Sequence, residues 1–190
     1  NGLYIKNTPY FSADNVTIST CSTGMTFTGT NLFSCEFSHL TTYNIGGSGV
    51  VFENFTGGGQ FAFNSCTFHG YTGFLLKSTA IIDALAFYNC NFEQCVGNDL
   101  TINGSVAGLT IDACRSEGLN GTASFLISPS AGNFVHGLNI RGCFWQSDFL
   151  AAHPIAIEGD VSGFSITGNH AEYIGSGEFV WLNGAGSAGV

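Results

Sequence analysis

The chain has 190 residues, only 9% of them charged, and 4 lysines and arginines stand against 13 acids for a net charge of −9. That balance leaves no basic patch and excludes nucleic acid as a partner, because such binding rests on neutralising phosphates; tight binding of polyanionic sugars is disfavoured for the same reason. No apolar run reaches the roughly 18 residues of a membrane-spanning helix, so membrane insertion is not expected either, and the length suits a single domain with a full core.

Taken from the N-terminus, short runs with apolar residues at alternate positions follow one another. "LYIKN" at 3 leads to "VTISTC" ending at Cys21, "MTFTG" at 25, "NLFSCEF" around Cys35, "VVFEN" at 50 and "FAFNSCTF" around Cys66. Then come "FLLKS" at 74, "LAFYNCNF" around Cys90, "LTING" at 100 and "LTIDACRS" around Cys114. "FLISP" at 125, "LNIRGCFW" around Cys143, "IAIEG" at 155, "FSITGNHA" with Asn169 in the cysteine's place, and "VWLNG" at 180 complete the set. Two families thus alternate, one centred on the cysteines and a second made of "LYIKN", "MTFTG", "VVFEN" and their successors, which returns every 22 to 30 residues. Alternation of this kind is the strand signature, and the Gly, Asn and Ser between runs are turn residues. No window carries a helical period. Strands this short, returning at this interval, suit a chain that coils, with each rung stacked on the last at about 4.8 Å.

Seven cysteines are an odd number and do not fall at zinc spacing, so no metal or other cofactor is implied and the thiols read mainly as small buried apolar residues, with disulfides the alternative. In "LAFYNCNF", Leu85 and Phe87 point inward, the chain bends at Tyr88-Asn89, and Cys90 and Phe92 point inward on the next face. One residue type at one place per rung forms an interior stack. The expected core ladder is Cys35, Cys66, Cys90, Cys114 and Cys143, beside a column of Phe37, Phe68, Phe92 and Trp145.

This pattern resembles the right-handed, single-stranded parallel β-helix of the pectin-lyase-like superfamily over nearly the whole chain, at seven to eight rungs. The strict hexapeptide period of a left-handed β-helix is absent. Within the superfamily the variable rungs look most like the β-helical shafts of bacteriophage tailspikes and tail fibres. The resemblance implies an all-β solenoid in one domain over 1–190. It also implies a homotrimer on a virion or extracellular surface, whose partners are a host surface polysaccharide or other virion proteins. The chain starts at Asn1, without Met, and reads as a piece of a longer one. Pectate lyases of this fold use calcium-binding aspartates and an Arg-x-Pro-x-x-Arg signature; polygalacturonases carry Asn-Thr-Asp, Asp-Asp, Gly-His-Gly and Arg-Ile-Lys strings. None occurs, so the resemblance supplies a fold and no catalytic residues.

Outward columns carry the functional candidates. The middle residues of the second family are Tyr4, Thr26, Val51, Leu75, Thr101, Leu126, Ala156 and Trp181. Period two places this mostly apolar stripe outside, where Tyr4, Val51, Leu75, Leu126 and Trp181 form a candidate subunit interface; a covering loop or a shifted phase is the alternative. A second column, Thr17, Ala62, Ala86, Thr110, Asn139 and Ser165, is small and mildly polar. The third lies three residues past each ladder cysteine: Ser38, His69, Glu93, Glu117, Gln146 and Glu172. Beside it stand Glu36, Thr67, Asn91, Arg115, Phe144 and His170. Glu93 and Glu117 fall on successive rungs, and glycosidases use carboxylate pairs at about 5–5.5 Å or about 6.5–9.5 Å. Glu117 as acid and Glu93 as its partner, with Arg115, His69, Gln146 and Glu172 contacting ligand, make one reading of this face; a hydrated polar surface balanced by Arg115 makes the other. Asp99, Asp112, Asp148, Glu158 and Asp160 show no partner in register.

Overall fold

Segments of two to eight residues cannot enclose a core alone, so they must stack. A computed structural model describes residues 2–30, 33–56, 58–117, 121–146, 153–172 and 178–183. Among the described residues there is no helix, and every strand pairing is parallel. Sheet 1 runs over eight strands from Leu3–Lys6 to Val180–Asn183. Sheet 2 runs over seven, from Tyr10–Asp14 to Ser165–Thr167, and sheet 3 over seven, from Thr17–Cys21 to His170–Ala171. A minor sheet of four two-residue strands, Ile81–Ile82 to Val161–Ser162, enters between sheets 1 and 2 from the fourth turn onward. Each strand bonds to its counterpart one turn away, which makes the molecule a parallel β-solenoid of about seven turns.

The corner between sheets 2 and 3 sets the register. Its residues are Val16, Leu40, Cys66, Cys90, Cys114, Cys143 and Asn169. In six consecutive turns the carbonyl of the corner residue accepts from the amide that follows the next corner residue, as in Asn91 N to Cys66 O (2.8 Å) and Arg115 N to Cys90 O (2.9 Å). The residue just before each corner is left-handed: Asn15, His39, Ser65, Asn89, Ala113, Gly142 and Gly168 have φ between 51° and 63°. Asn and Gly accept this conformation readily; Ala113 does not, and is held there by its amide bond to Arg141 O at 3.0 Å. The expected bend at Tyr88-Asn89 is therefore one of a column of seven.

Four of the expected ladder thiols stack as read. Each donates to a carbonyl of the turn below: Cys66 to Phe37 O (3.5 Å), Cys90 to Phe63 O (3.2 Å), Cys114 to Phe87 O and Cys143 to Ile111 O (both 3.7 Å). Asn169 makes the same bond with a stronger donor, Nδ2 to Ile140 O at 3.0 Å. Cys35 is a correction. It lies mid-strand in sheet 2, in register with Phe11 and Phe61, and Leu40 fills the corner of that turn. Cys21 likewise pairs with Ile45 in sheet 3, and Val16 holds the first corner. Matching cysteine to cysteine failed there because what the corner requires is a small or apolar side chain after a left-handed residue. Phe37 accordingly belongs to sheet 2, stacked on Phe63 at 5.0 Å, and the column of Phe68, Phe92 and Trp145 is interrupted by Ser116. All seven cysteines are free thiols, and burial pushes Cys35 up to about 11.

Rings repeat at the strand spacing. Phe27 stacks on Phe52 (4.3 Å, 11°), Phe63 on Phe87 (5.4 Å, 12°) and Phe68 on Phe92 (5.1 Å, 28°). Rings from the other sheets meet them edge-on, as Phe74 does Phe87 at 86°. Both arrangements suit the ring quadrupole, and complete burial of each ring contributes about 2–3 kcal/mol.

The Tyr4-to-Trp181 stripe is in unbroken register through all eight strands of sheet 1. Thr26, Val51, Thr101 and Ala156 are nevertheless buried within the single chain, and Leu75, Leu126 and Trp181 are half-buried. Tyr4 alone of the stripe is fully exposed, at 55%.

Replacing Ala113 by Gly removes the left-handed strain of about 1–2 kcal/mol at the cost of roughly 0.5–1 kcal/mol of backbone entropy. The variant is expected to gain about 0.5–1 kcal/mol in urea unfolding, and Asn89→Ala to lose a similar amount.

Candidate functional site

The outer face of sheet 3 collects the ionisable groups. Its strands hold two to five residues, so each turn offers few outward positions, and parallel register stacks them. Glu93 pairs directly with Glu117, and one row carries Asn91, Arg115, Phe144 and His170 in order. Gln146 and Glu172 extend the glutamate column, their amides bonding to Ser116 O and Trp145 O. His69 sits one residue past the Phe68–Phe92 pair, beneath Glu93. The structure thus brings Glu93, Glu117, His69, Gln146 and Glu172 into one column, with Arg115 beside it.

Their side chains bond in two groups. His69 Nε2 lies 3.2 Å from Glu93 Oε2, and Asn91 Nδ2 donates to Glu93 Oε1. Arg115 Nη2 bridges Glu117 Oε1, at 3.1 Å, and Gln146 Oε1. His69 is nearly buried, whereas Glu93 and Glu117 keep about a quarter of their side-chain surface open. The result is a strip of fixed amide, carboxylate and guanidinium groups, able to donate and accept hydrogen bonds at turn spacing. Phe144 and His170 stack in parallel at 5.7 Å and close one end of it.

Two residues expected in this face lie elsewhere. Ser38 and Glu36 belong to the sheet 2 strand Ser34–Ser38, where Glu36 accepts from Asn64 Nδ2 at 2.9 Å. Their places in sheet 3 are taken by Tyr43 and Thr41, and Thr17 joins the Thr41 row instead of the small column. That small column is headed by Ser12 and Glu36 before Ala62, Ala86, Thr110, Asn139 and Ser165. Tyr43 was missed because Cys35 drew the alignment five residues too early. Aligning on the bend residue puts "SHLTTY" against "NSCTFH" and sets Tyr43 opposite His69, where the rings meet edge-on at 5.5 Å. Tyr43, His69 and Tyr71, with Asn44, Gln94 and Val96, line a cavity of about 310 Å³.

Several lone acids find partners. Asp112 pairs in register with Arg141, Oδ2 to Nη2 at 2.7 Å, and Glu158 accepts from Ser128 Oγ at 2.8 Å. Asp148 lies outside the described residues. Asp99 is fully buried. Its Oδ2 lies 2.5 Å from both Ser116 Oγ and Ser124 Oγ, which are themselves 2.8 Å apart. Both serine hydroxyls donate to Oδ2 of Asp99. Its Oδ1 has no hydrogen-bond partner among the described residues, a costly position for a full charge. Burial accordingly raises the Asp99 carboxyl from 3.8 to about 6, against the opposing pull of the two serines. Enclosed in the core, this cluster serves packing.

No three His, Cys, Asp or Glu side chains among the described residues converge to hold a metal ion. Comparison with family models, with curated proteins and with solved structures finds no match to this chain.

Because Asp99 holds its proton more tightly folded than unfolded, its contribution is fully present below about pH 4 and is lost as pH rises through about 6. The loss amounts to about 3 kcal/mol. Asp99→Asn should flatten this part of the stability profile, read as melting temperature between pH 4 and pH 7.

Proposed function

We propose that the chain is the structural, receptor-facing β-helix of a virion tail spike, tail fibre or similar surface appendage, at a virion or extracellular surface. It binds a host surface glycan, or another virion component, along the outer face of sheet 3. The observation that carries this reading is the column of His69, Glu93, Glu117 and Gln146, with Arg115 beside it, held in two bonded groups and flanked by the exposed ring of Tyr43. Fixed amides and carboxylates read sugar hydroxyls, and an aromatic ring supports the apolar face of a sugar. A continuous backbone ladder along the axis makes the stiff rod such an appendage needs. The scarcity of cations turns the reading towards neutral glycans.

The appendage reading includes a homotrimer, with Tyr4, Leu75, Leu126 and Trp181 on the stripe that would face a neighbouring subunit; Val51, expected there too, is buried within its own chain and drops out of that surface. Tyr4 and the half-buried Leu75, Leu126 and Trp181 offer apolar surface for it. The mass in solution is expected at three times the 19.9 kDa of the chain. Tyr4→Ser combined with Leu126→Ser should shift it towards the monomer. A wild-type chain that sediments only as a monomer removes the trimer.

A second reading, an endo-glycosidase acting on a neutral polysaccharide, is favoured by the direct pairing of Glu93 with Glu117. Strand neighbours lie about 4.8 Å apart, close to the roughly 5–5.5 Å of retaining carboxylate pairs. Against it, both acids are already engaged, by His69 and Asn91 and by Arg115. Oligosaccharide release from neutral polysaccharides separates the readings. Release that falls at least about a thousandfold in Glu93→Gln or Glu117→Gln assigns the enzyme. Glycan binding without release, in wild type and variants alike, assigns the binding shaft.

A further inference from the structure

The corner that leads out of sheet 3 into sheet 1 is stripped of side chains around one tyrosine. Gly47, Tyr71 and Gly97 follow each other up this corner, Tyr71 N donating to Gly47 O and Gly97 N to Tyr71 O, both at 2.6 Å. Gly121 continues the line: a Cβ there would fall 2.8 Å from Gly97 O. A Cβ on Gly97 would press the Tyr71 ring and carbonyl at 3.0 Å, so the ring leans over bare backbone. Glycine above and below leaves the ring standing clear, 59% exposed, with Tyr43 at 56% and Val96 at 54% beside it. Large apolar side chains gathered at one exposed corner contribute nothing to the core and mark a contact surface.

Tyr71 and Val96 together form the wall between two cavities. On one side lies the cavity of about 310 Å³ that also holds Tyr43, Asn44, His69 and Gln94; on the other, one of about 260 Å³ edged by Thr72, Asn98 and Thr122. Both are near the lower end of the range for small-molecule pockets, roughly 300–1,000 Å³. Their polar groups are amides, hydroxyls and one imidazole, which together donate and accept. No lysine or arginine lines either one, so a carboxylated or sulfated sugar finds no cation there.

We propose that this corner takes two consecutive neutral hexose units of a glycan, one in each cavity, with the Tyr71 ring as the stacking platform shared between them. The proposal rests on the glycan-binding reading above and locates it. A sugar presents an apolar face of C–H groups and a rim of hydroxyls; the ring meets the face, and Asn44, Gln94, Asn98 and Thr122 are placed around the rim. Successive turns are about 4.8 Å apart, close to the length of one sugar residue, so two subsites one turn apart suit adjacent units of one chain. His69 joins the corner to Glu93 in the sheet 3 column, which lets the bound chain run on along sheet 3.

The test is binding of the full chain to immobilised neutral oligosaccharides (malto-, cello-, chito- and manno-series) and to uronic-acid oligosaccharides, for wild type, Tyr71→Ala, Tyr71→Phe and Arg115→Ala. The expected result is binding to a neutral series that strengthens from one unit to two. Tyr71→Ala should weaken it about tenfold, with Tyr71→Phe within about twofold of wild type. Because the ring is exposed, melting temperatures of the Tyr71 variants are expected to match wild type, which separates lost contact from lost fold. Neutral-glycan binding that Tyr71→Ala leaves intact, while Arg115→Ala removes it, overturns this corner and leaves the binding shaft standing. Binding of uronic-acid oligosaccharides alone overturns the choice of neutral units. No binding to either class overturns both the corner and the glycan-binding reading.

Discussion

Everything in this molecule depends on parallel backbone pairing between equivalent residues of successive turns. Because each strand bonds to the one above and the one below, whatever side chain a position carries is repeated at the strand spacing, inside and out. Inside, the repetition yields stacked rings and stacked thiols. Outside, it yields columns of like function, such as the glutamate column of sheet 3. A one-residue slip would exchange the two, which is why the corners are specified so closely.

The corner between sheets 2 and 3 shows what is specified and what is left free. A left-handed residue stands before it in seven consecutive turns, although the residue type ranges over Asn, His, Ser, Ala and Gly. The corner residue itself ranges over Val, Leu, Cys and Asn. Each packs inward, and the polar ones add a bond to the turn below. Cysteine suits the place through size and weak donation, and Asn169 replaces it by donating better. The ladder is therefore a geometric solution that several side chains satisfy.

The outer face of sheet 3 follows from the same economy. Short strands in sheet 3 and glycine at the next corner leave little surface per turn, and that surface carries charge, amide and exposed ring. Outward acids are matched by neighbours one turn away, as Asp112 is by Arg141 and Glu53 by Lys77. The exposed tyrosines are matched differently, the Tyr43 ring by His69 edge-on and the Tyr71 ring by the bare backbone at Gly97. The buried Asp99 is the opposite case: a polar residue whose partners come from other turns and whose raised affinity for a proton is explained by its enclosure.

The amino-acid sequence by itself determined the solenoid, the eight strands of sheet 1, the inward positions of Leu85, Phe87, Cys90 and Phe92, and the neighbouring of Glu93 with Glu117. Each rests on alternation and on a repeat interval, both written locally in the chain. It misplaced Cys35, Phe37, Ser38 and Glu36, because the second turn uses Leu40 at its corner and carries a cysteine mid-strand. Only the tertiary structure decided that Thr26, Val51, Thr101 and Ala156 are buried, that Asp99 sits among two serines, and that Tyr43 and Tyr71 share a corner. Those facts depend on which residues of different sheets and corners meet in space, and such meetings, unlike the pairing of equivalent strands, leave no periodic mark along the chain.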